Sequence, residues 1–535
     1  MVPLHGPLVS RRLSPVVPTA MVLAFSSLTA WAAAPEKPTG PVITPAAQTT
    51  HFTGPLDSEG YVDFVAALNQ ELGRGVLPSE NAAIPLLQAM GPCERRLDTT
   101  NAILKELGAA PWSPGMPDFR DYGEFMETRG GSNEARLNDY TAAIDVPWVA
   151  ADHPDIAALL AANEKPLAMI AAAVQKPKYY RPMVLSKPGD TLVSVLLPDI
   201  QSYRDVARQL KARAMRHLGE GRPLAAQQDL LTMHRLARCV GRGGTLIEAL
   251  VGIAIDAIAS NADNVWAAHP DLTADQIVAY RQQLAALPAV ADMRRCLETT
   301  ERAMCMDVTQ AIARGKLGAQ NSDLRSVLGF ASGSETVEGQ WLDVGEMSAA
   351  LLVFSVDWNV TMQTINTYFD EMIAAAGAAD RLQRKAAMSR FDEQLRKTKS
   401  EITTFKTLAT NVLGGSNSRG KTFGNVLSTL LMPAVFQAFS AQDSAAARRD
   451  LSQVMLALAE YQRREGQFPP SLAALSPQYL AVVPDDLFAG KPFRYASDGG
   501  SYRLYSLGRN ERDDGGVMGP SGADDLLMAY PPPRD

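Results

Sequence analysis

The side chains able to do chemistry are few and scattered. Six histidines stand in 535 residues. His234 falls on a helical pattern with Arg235 and Arg238 beside it, while His153, His217 and His269 each stand near the expected end of a helix. Histidine titrates near neutrality and is the commonest metal ligand, but none of these has a second histidine or cysteine at ligand spacing. The chain contains no H-E-x-x-H, no C-x-x-C, no G-x-S-x-G elbow and no Walker loop. Gly241-Arg242-Gly243-Gly244 precedes a helix and has the composition to hold an anion at its N-terminus, yet no strand leads into it, so it reads as a turn. Trp112, Trp148, Trp266, Trp341 and Trp358 read as core or interface anchors. No catalytic residue and no bound cofactor follows from these positions.

The elements that would position such residues are helical. From Tyr61 to about Gln442 apolar residues recur every three to four positions, as in Ile200, Tyr203, Val206, Ala207, Leu210, Ala214 and Leu218. That helix ends near Gly219-Glu220-Gly221 and a second opens near Pro223, an αα-hairpin, without recurrence at the ~34-residue period of helical repeats. Further helices are expected at Glu80 to Met90, Asp98 to Leu107, Pro154 to Gln175 with a break at Pro166, and Leu246 to Ala268. Others are expected at Thr273 to Leu287 with Asp271 or Thr273 as N-cap, Ala289 to Ala313, Ser348 to Ala376 and Ala379 to Leu408. Residues 316–345 read as a surface loop or subdomain boundary, and Gly414 to Gly424 as a flexible turn. Lys176 to Pro198 fits either a hairpin or a helix. The fold expected is mainly α: a multi-helical body at 57–442 and a small C-terminal α+β module at 443–535.

The N-terminus reads as an export signal. Arg11 and Arg12 precede an apolar stretch from Val16 to Trp31, and Ala30 and Ala32 make an A-x-A site with cleavage before Ala33. A signal peptide at 1–32, a flexible linker at 33–56 and a periplasmic or secreted mature chain without a stable membrane span are expected. The charge balance, 51 basic against 58 acidic residues, gives no basic stripe, so nucleic acid is not an expected partner. In an oxidising compartment Cys93, Cys239, Cys296 and Cys305 could pair or remain buried thiols. Cys296 and Cys305, nine positions apart on one helix, would face opposite ways.

Two segments resemble known families. Arg242 to Ile255, with Thr245-Leu246-Ile247-Glu248 at its centre, resembles the processing site of type IV prepilins. Far from the N-terminus and interrupted by Asp256, it reads as an ordinary buried helix with Glu248 and Asp256 on its polar edge. Nearer the C-terminus, a helix ending at Gly466 leads to Phe468-Pro469, then to Asp486, Phe488, Gly490, Pro492, Phe493 and Tyr495. A turn at Ser497 to Gly500 and the strand Tyr502, Leu504, Tyr505, Ser506, Gly508 follow. This order, over residues 445–516, resembles the globular part of the major pseudopilin of type II secretion systems. The whole chain looks like large exported proteins of planctomycete-type bacteria. The pseudopilin resemblance implies a helix carrying an antiparallel hairpin and a calcium-binding acidic loop. Asp513, Asp514, Asp524 and Asp525 are the metal-ligand candidates, with Gly515, Gly516, Gly519 and Gly522 letting the backbone turn. The function expected is that of an exported, non-catalytic interaction or scaffold protein with an envelope or secretion partner. The alternative is a ligand-binding protein or hydrolase with a cleft between helical layers.

Overall fold

The computed structural model describes residues 42–92, 97–185, 190–195, 198–316, 355–378, 381–402, 414–517 and 522–533. The expected signal peptide, Cys93 and the expected loop beyond Lys316 lie outside these residues. The architecture is mainly α with a small α+β ending.

Among the described residues seven short helices come first: α1 (Phe64–Leu72), α2 (Ala83–Met90), α3 (Leu97–Glu106), α4 (Tyr122–Glu127), α5 (Glu134–Asp145), α6 (Pro154–Ala162) and α7 (Glu164–Ala173). The break between α6 and α7 falls at Asn163, not at Pro166. Asn163 is buried and its side chain bonds both backbone groups of Arg120 and the Gln209 amide. Pro166 sits in the first turn of α7, where a missing N–H costs little. Between Lys176 and Pro198 the described backbone forms neither hairpin nor α-helix. It bridges to Asn81 at Lys178 and makes one 3-10 turn at Leu192–Ser194.

The centre is α8 (Pro198–Gly219), α9 (Pro223–Val240) and α10 (Leu246–Ala267), which pack on one another. The stripe Ile200, Tyr203, Val206, Leu210 and Leu218 is buried, as the 3.6-residue period requires. The turn Gly241–Thr245 lets α9 and α10 approach closely: a Cβ at Gly252 would lie 2.5 Å from the Gly241 Cα. α11 (Ala274–Ala285) opens on Thr273, which forms a capping box with Gln276. α12 (Met293–Cys296) runs through a π turn at Leu297–Glu301 into α13 (Arg302–Ala313). The π turn changes the helical phase, so Cys296 and Cys305 enter one buried cluster although a straight α-helix would turn them apart. Cys239, Cys296 and Cys305 are free thiols.

α14 (Trp358–Ala376), α15 (Arg381–Ile402), α16 (Ser416–Leu431) and α17 (Pro433–Glu465) complete the helical order. The flexible turn expected at Gly414 to Gly424 is mostly the start of α16. Its glycines serve close packing instead, because a Cβ at Gly420 would meet the Asp357 carbonyl oxygen at 2.3 Å. The linker expected at 33–56 is likewise corrected over residues 42–56, which lie against the body. Ile43 and Phe52 join the same apolar cluster as α14, Thr44 N–H donates to Asn359 Oδ1 at 2.8 Å, and Asn366 Nδ2 donates to the Thr49 carbonyl at 2.6 Å. Apolar anchors and paired backbone groups give this stretch reason to order.

The expected boundary at 442/443 falls inside α17, a helix of 33 residues. Leu451, Val454 and Leu458 of α17 share a buried cluster with Leu230 and Trp266 of the body and with Leu504 and Met528 of the sheet. After α17 come one short pair, β1 (Asp485–Asp486) with β2 (Lys491–Pro492), and a three-stranded antiparallel sheet in the order β3 (Arg494–Ser497), β4 (Tyr502–Ser506), β5 (Leu526–Tyr530). Arg494 pairs with Tyr505, and Tyr502 with Tyr530. The expected hairpin turn is present, with Asp498 Oδ1 accepting the Gly500 and Ser501 N–H groups. Among the described residues no single helix is long and apolar enough to cross a membrane.

Candidate functional site

The strongest concentration of buried charge centres on His234. α9 presents His234 and Arg238 one turn apart, and α10 presents Asp256 and Asp263 two turns apart on the face that meets them. His234 Nδ1 lies 2.6 Å from Asp256 Oδ1 and Nε2 lies 3.0 Å from Asp263 Oδ2. Arg238 Nη1 donates to Asp256 and to the His234 carbonyl, and the Tyr280 hydroxyl of α11 donates to Asp263 Oδ1 at 2.6 Å. Burial alone would drive the imidazole neutral; the charges of Asp263 and Asp256 and the bonds to both outweigh it and push its pKa up to about 9. Burial pushes Tyr280 well above the usual phenol range, and the Asp263 charge adds to this.

This arrangement holds the histidine as an imidazolium with each nitrogen engaged by a carboxylate. Such a ring offers no lone pair to a proton or a metal, so its chemistry is ion pairing inside the core. Glu248 and Asp256, expected on a polar edge of their helix, are both buried. Asp256 is drawn in by His234 and Arg238. Glu248 is drawn in by the helix end itself, where its carboxylate accepts the Thr245 N–H and hydroxyl in a capping box. The helix N-terminus after Gly241-Arg242-Gly243-Gly244 is therefore filled by the chain's own anion. Asp263 and Tyr280 were not singled out from the sequence; two aspartates seven positions apart, and so on one face of a largely apolar helix, were the available signal.

Three other histidines join neighbouring elements. His153 Nδ1 lies 2.6 Å from Asp139 Oδ1, His217 Nε2 lies 3.6 Å from Asp229, and His269 Nε2 lies 3.2 Å from the Leu218 carbonyl. Trp148 and Trp266 are core anchors whose indole N–H groups donate to the Ala212 and Pro223 carbonyls.

The four candidate aspartates do come together in the C-terminal loop. Asp513 accepts from the Tyr505 hydroxyl, the Gly515 N–H and Arg494 Nε, which hold its carboxyl below the usual range. Asp514 Oδ2 accepts from Asn510 Nδ2 and the Asp524 N–H, and Asp524 accepts the N–H groups of Arg509 and Asn510. Asp525 Oδ2 accepts the N–H groups of Asp514 and Gly516, while its Oδ1 is buried without a hydrogen-bond partner. These are carboxylates turned to backbone donors, and as such they fold the loop. Among the described residues no group of three acidic, histidine or cysteine side chains is arranged to hold a metal ion.

The residues that carry the pseudopilin resemblance also converge. Asp486 is buried and links its own turn to the end of β4, its Oδ1 accepting the Phe488 N–H and the Ser506 hydroxyl and its Oδ2 the Leu507 N–H. Gly466 ends α17 in the left-handed conformation at φ 79°. The Tyr495 hydroxyl donates to the Pro469 carbonyl at 2.8 Å, and the Phe468 ring packs edge-on against Tyr502.

Set against known proteins, the chain matches no family model, no curated protein and no solved structure.

Proposed function

We propose that this is an exported, non-catalytic interaction protein of the cell envelope, whose pseudopilin-like C-terminal module engages an envelope or secretion partner. The observation that carries this reading is the convergence on Asp486. Residues that the resemblance selects from two separate stretches, Asp486 with Phe488 and Ser506 of the following strand, meet in one buried hydrogen-bonded junction. The sealed state of His234 supports the non-catalytic part, since both of its nitrogens are occupied. Val482 and Val517, 77% and 50% exposed, are large apolar side chains that the module leaves on its surface.

The test has two arms. Mass spectrometry of the protein recovered from the periplasm or medium is expected to find an N-terminus at Ala33; a cytoplasmic chain still beginning at Met1 overturns export. A photo-crosslinking residue placed at Val482 or Val517 in the full chain is expected to give one discrete envelope adduct in living cells. Absence of any adduct from both positions overturns the docking role.

A further inference from the structure

Apart from the His234 cluster, the body has a pocket of ≈ 230 Å³ beside the start of α1 and the second half of α13. Its walls divide by chemistry. Val62, Phe64, Val65, Leu185 and Ala311 supply apolar surface, whereas Asp57, Asp63, Asp190 and Asp307 supply carboxylates. Arg314 also lines it but is taken up by Asp57 and Glu59 at 2.7 and 2.8 Å, with its guanidinium 4.3 Å from the centre of the Tyr61 ring. Lys316 is a further basic group in the lining, and Arg314 and Lys316 both act on Asp307 electrostatically without an ion pair to it.

Asp307 is the central group. Its Oδ2 accepts the Leu192 N–H at 2.7 Å, and it makes no ion pair with any described residue. Burial, with Asp63 near it, pushes its pKa up to about 6. One turn further along α13, Gln310 is 3% exposed and its Nε2 donates to the Val62 carbonyl at 2.9 Å. Its Oε1 is buried with no hydrogen-bond partner. An unsatisfied buried acceptor is destabilising, and a carboxylate shielded from water without a counter-charge is more so. The polar wall thus holds acceptors and negative charge that call for N–H donors carrying positive charge.

We propose that this pocket binds a small primary ammonium compound, with Asp307 as the counter-ion, Gln310 Oε1 and Asp63 as further acceptors, and Phe64 and Val65 against the carbon chain. An ammonium brings three donors and one charge to such a wall. A divalent metal would need three ligating side chains set around one point, and the described residues contain no such group. The volume suits a short alkylamine better than a drug-sized ligand.

Calorimetric titration of the full chain with n-butylamine, n-butanol and calcium chloride tests this. Butylamine is expected to bind saturably in the millimolar range or tighter, and butanol and calcium are expected to give no Asp307-dependent heat. Asp307→Asn keeps an acceptor for the Leu192 N–H but removes the charge, and is expected to weaken butylamine binding by about tenfold or more, the share a charge-assisted bond carries. Asp63→Asn, an equally good N-cap for α1, is the second variant and is expected to weaken it in the same direction. No binding of butylamine, equal binding of butanol, calcium heat lost in Asp307→Asn, or unchanged affinity in both variants overturns the proposal.

Discussion

Gly424 of α16 lies so close to Thr364 of α14 that a Cβ added at Gly424 would sit 2.6 Å from the Thr364 Cβ and 2.9 Å from the Thr361 carbonyl oxygen. Gly424→Ala should therefore destabilise the protein by about 1–3 kcal/mol through overpacking. Helix propensity alone argues the other way, favouring alanine by about 1 kcal/mol. Chemical denaturation of the variant decides the sign, and a gain in stability would mean that α14 and α16 do not pack as described.

The His234 cluster makes stability depend on alkaline pH. Its folded-state pKa, near 9, lies above the ordinary value of 6.5. The stabilisation is then fully present below about pH 6.5 and is lost as pH rises through 9. The full loss is about 3 kcal/mol by the usual conversion of a pKa difference. Thermal melts between pH 6 and 10 should show the fall, and His234→Gln should remove the slope while already weakening the protein at pH 7 by about 3 kcal/mol, since Asp263 loses its counter-charge and Asp256 keeps only Arg238. A variant as stable as the parent at pH 7 would contradict the ion-paired arrangement.

What could be read from the sequence depended on whether the cause was local. The α8 stripe, the Thr273 cap, the Gly466 terminus and the turn at Ser497 to Gly500 are set by neighbours a few positions away, and all are where the pattern placed them. The glycines of α16 misled because glycine signals a turn only when nothing distant demands a missing side chain; here Asp357 and Thr364 do. The charge cluster was half legible. His234 and Asp256 stood out as polar positions, but their meeting, and the part played by Asp263 and Tyr280, depends on three helices coming together. Asp307 and Gln310 gave no signal at all, since a pocket formed with Phe64 and Thr191 has no periodicity along the chain.

Asp486 should be the weakest point of the C-terminal module. Asp486→Ala leaves the N–H groups of Phe488 and Leu507 and the Ser506 hydroxyl without their acceptor in a buried place. A cost of about 3 kcal/mol follows from the price of unsatisfied buried donors. Asp486→Asn, which retains one acceptor oxygen, should cost less. Hydrogen exchange read separately for the α17–sheet region should show faster exchange in β1 and β4 for the alanine variant, and equal exchange in both variants would remove the junction role.

The ordered stretch at 42–52 depends on α14 in a way that distinguishes it from a linker. Asn366 Nδ2 donates to the Thr49 carbonyl at 2.6 Å and the Gln48 carbonyl at 3.2 Å, and Arg302, which bonds Asp370 at 2.7 Å, lies 3.1 Å from His51 Nδ1. Those polar contacts fix the path that lets Ile43 and Phe52 reach the apolar cluster. Asn366→Ala removes two of them at once, together with the long bond at 3.4 Å that Asn366 Oδ1 accepts from Arg302 Nη1, and leaves the apolar residues of α14 in place, so its effect should stay near this segment. Amide exchange over residues 42–52 should rise by about tenfold or more, roughly the 1–2 kcal/mol that two such bonds contribute. The melting of the helical body should shift little. Fast exchange of the same segment in the unaltered protein would show that it is a linker after all, because backbone groups held by α14 must open before they exchange.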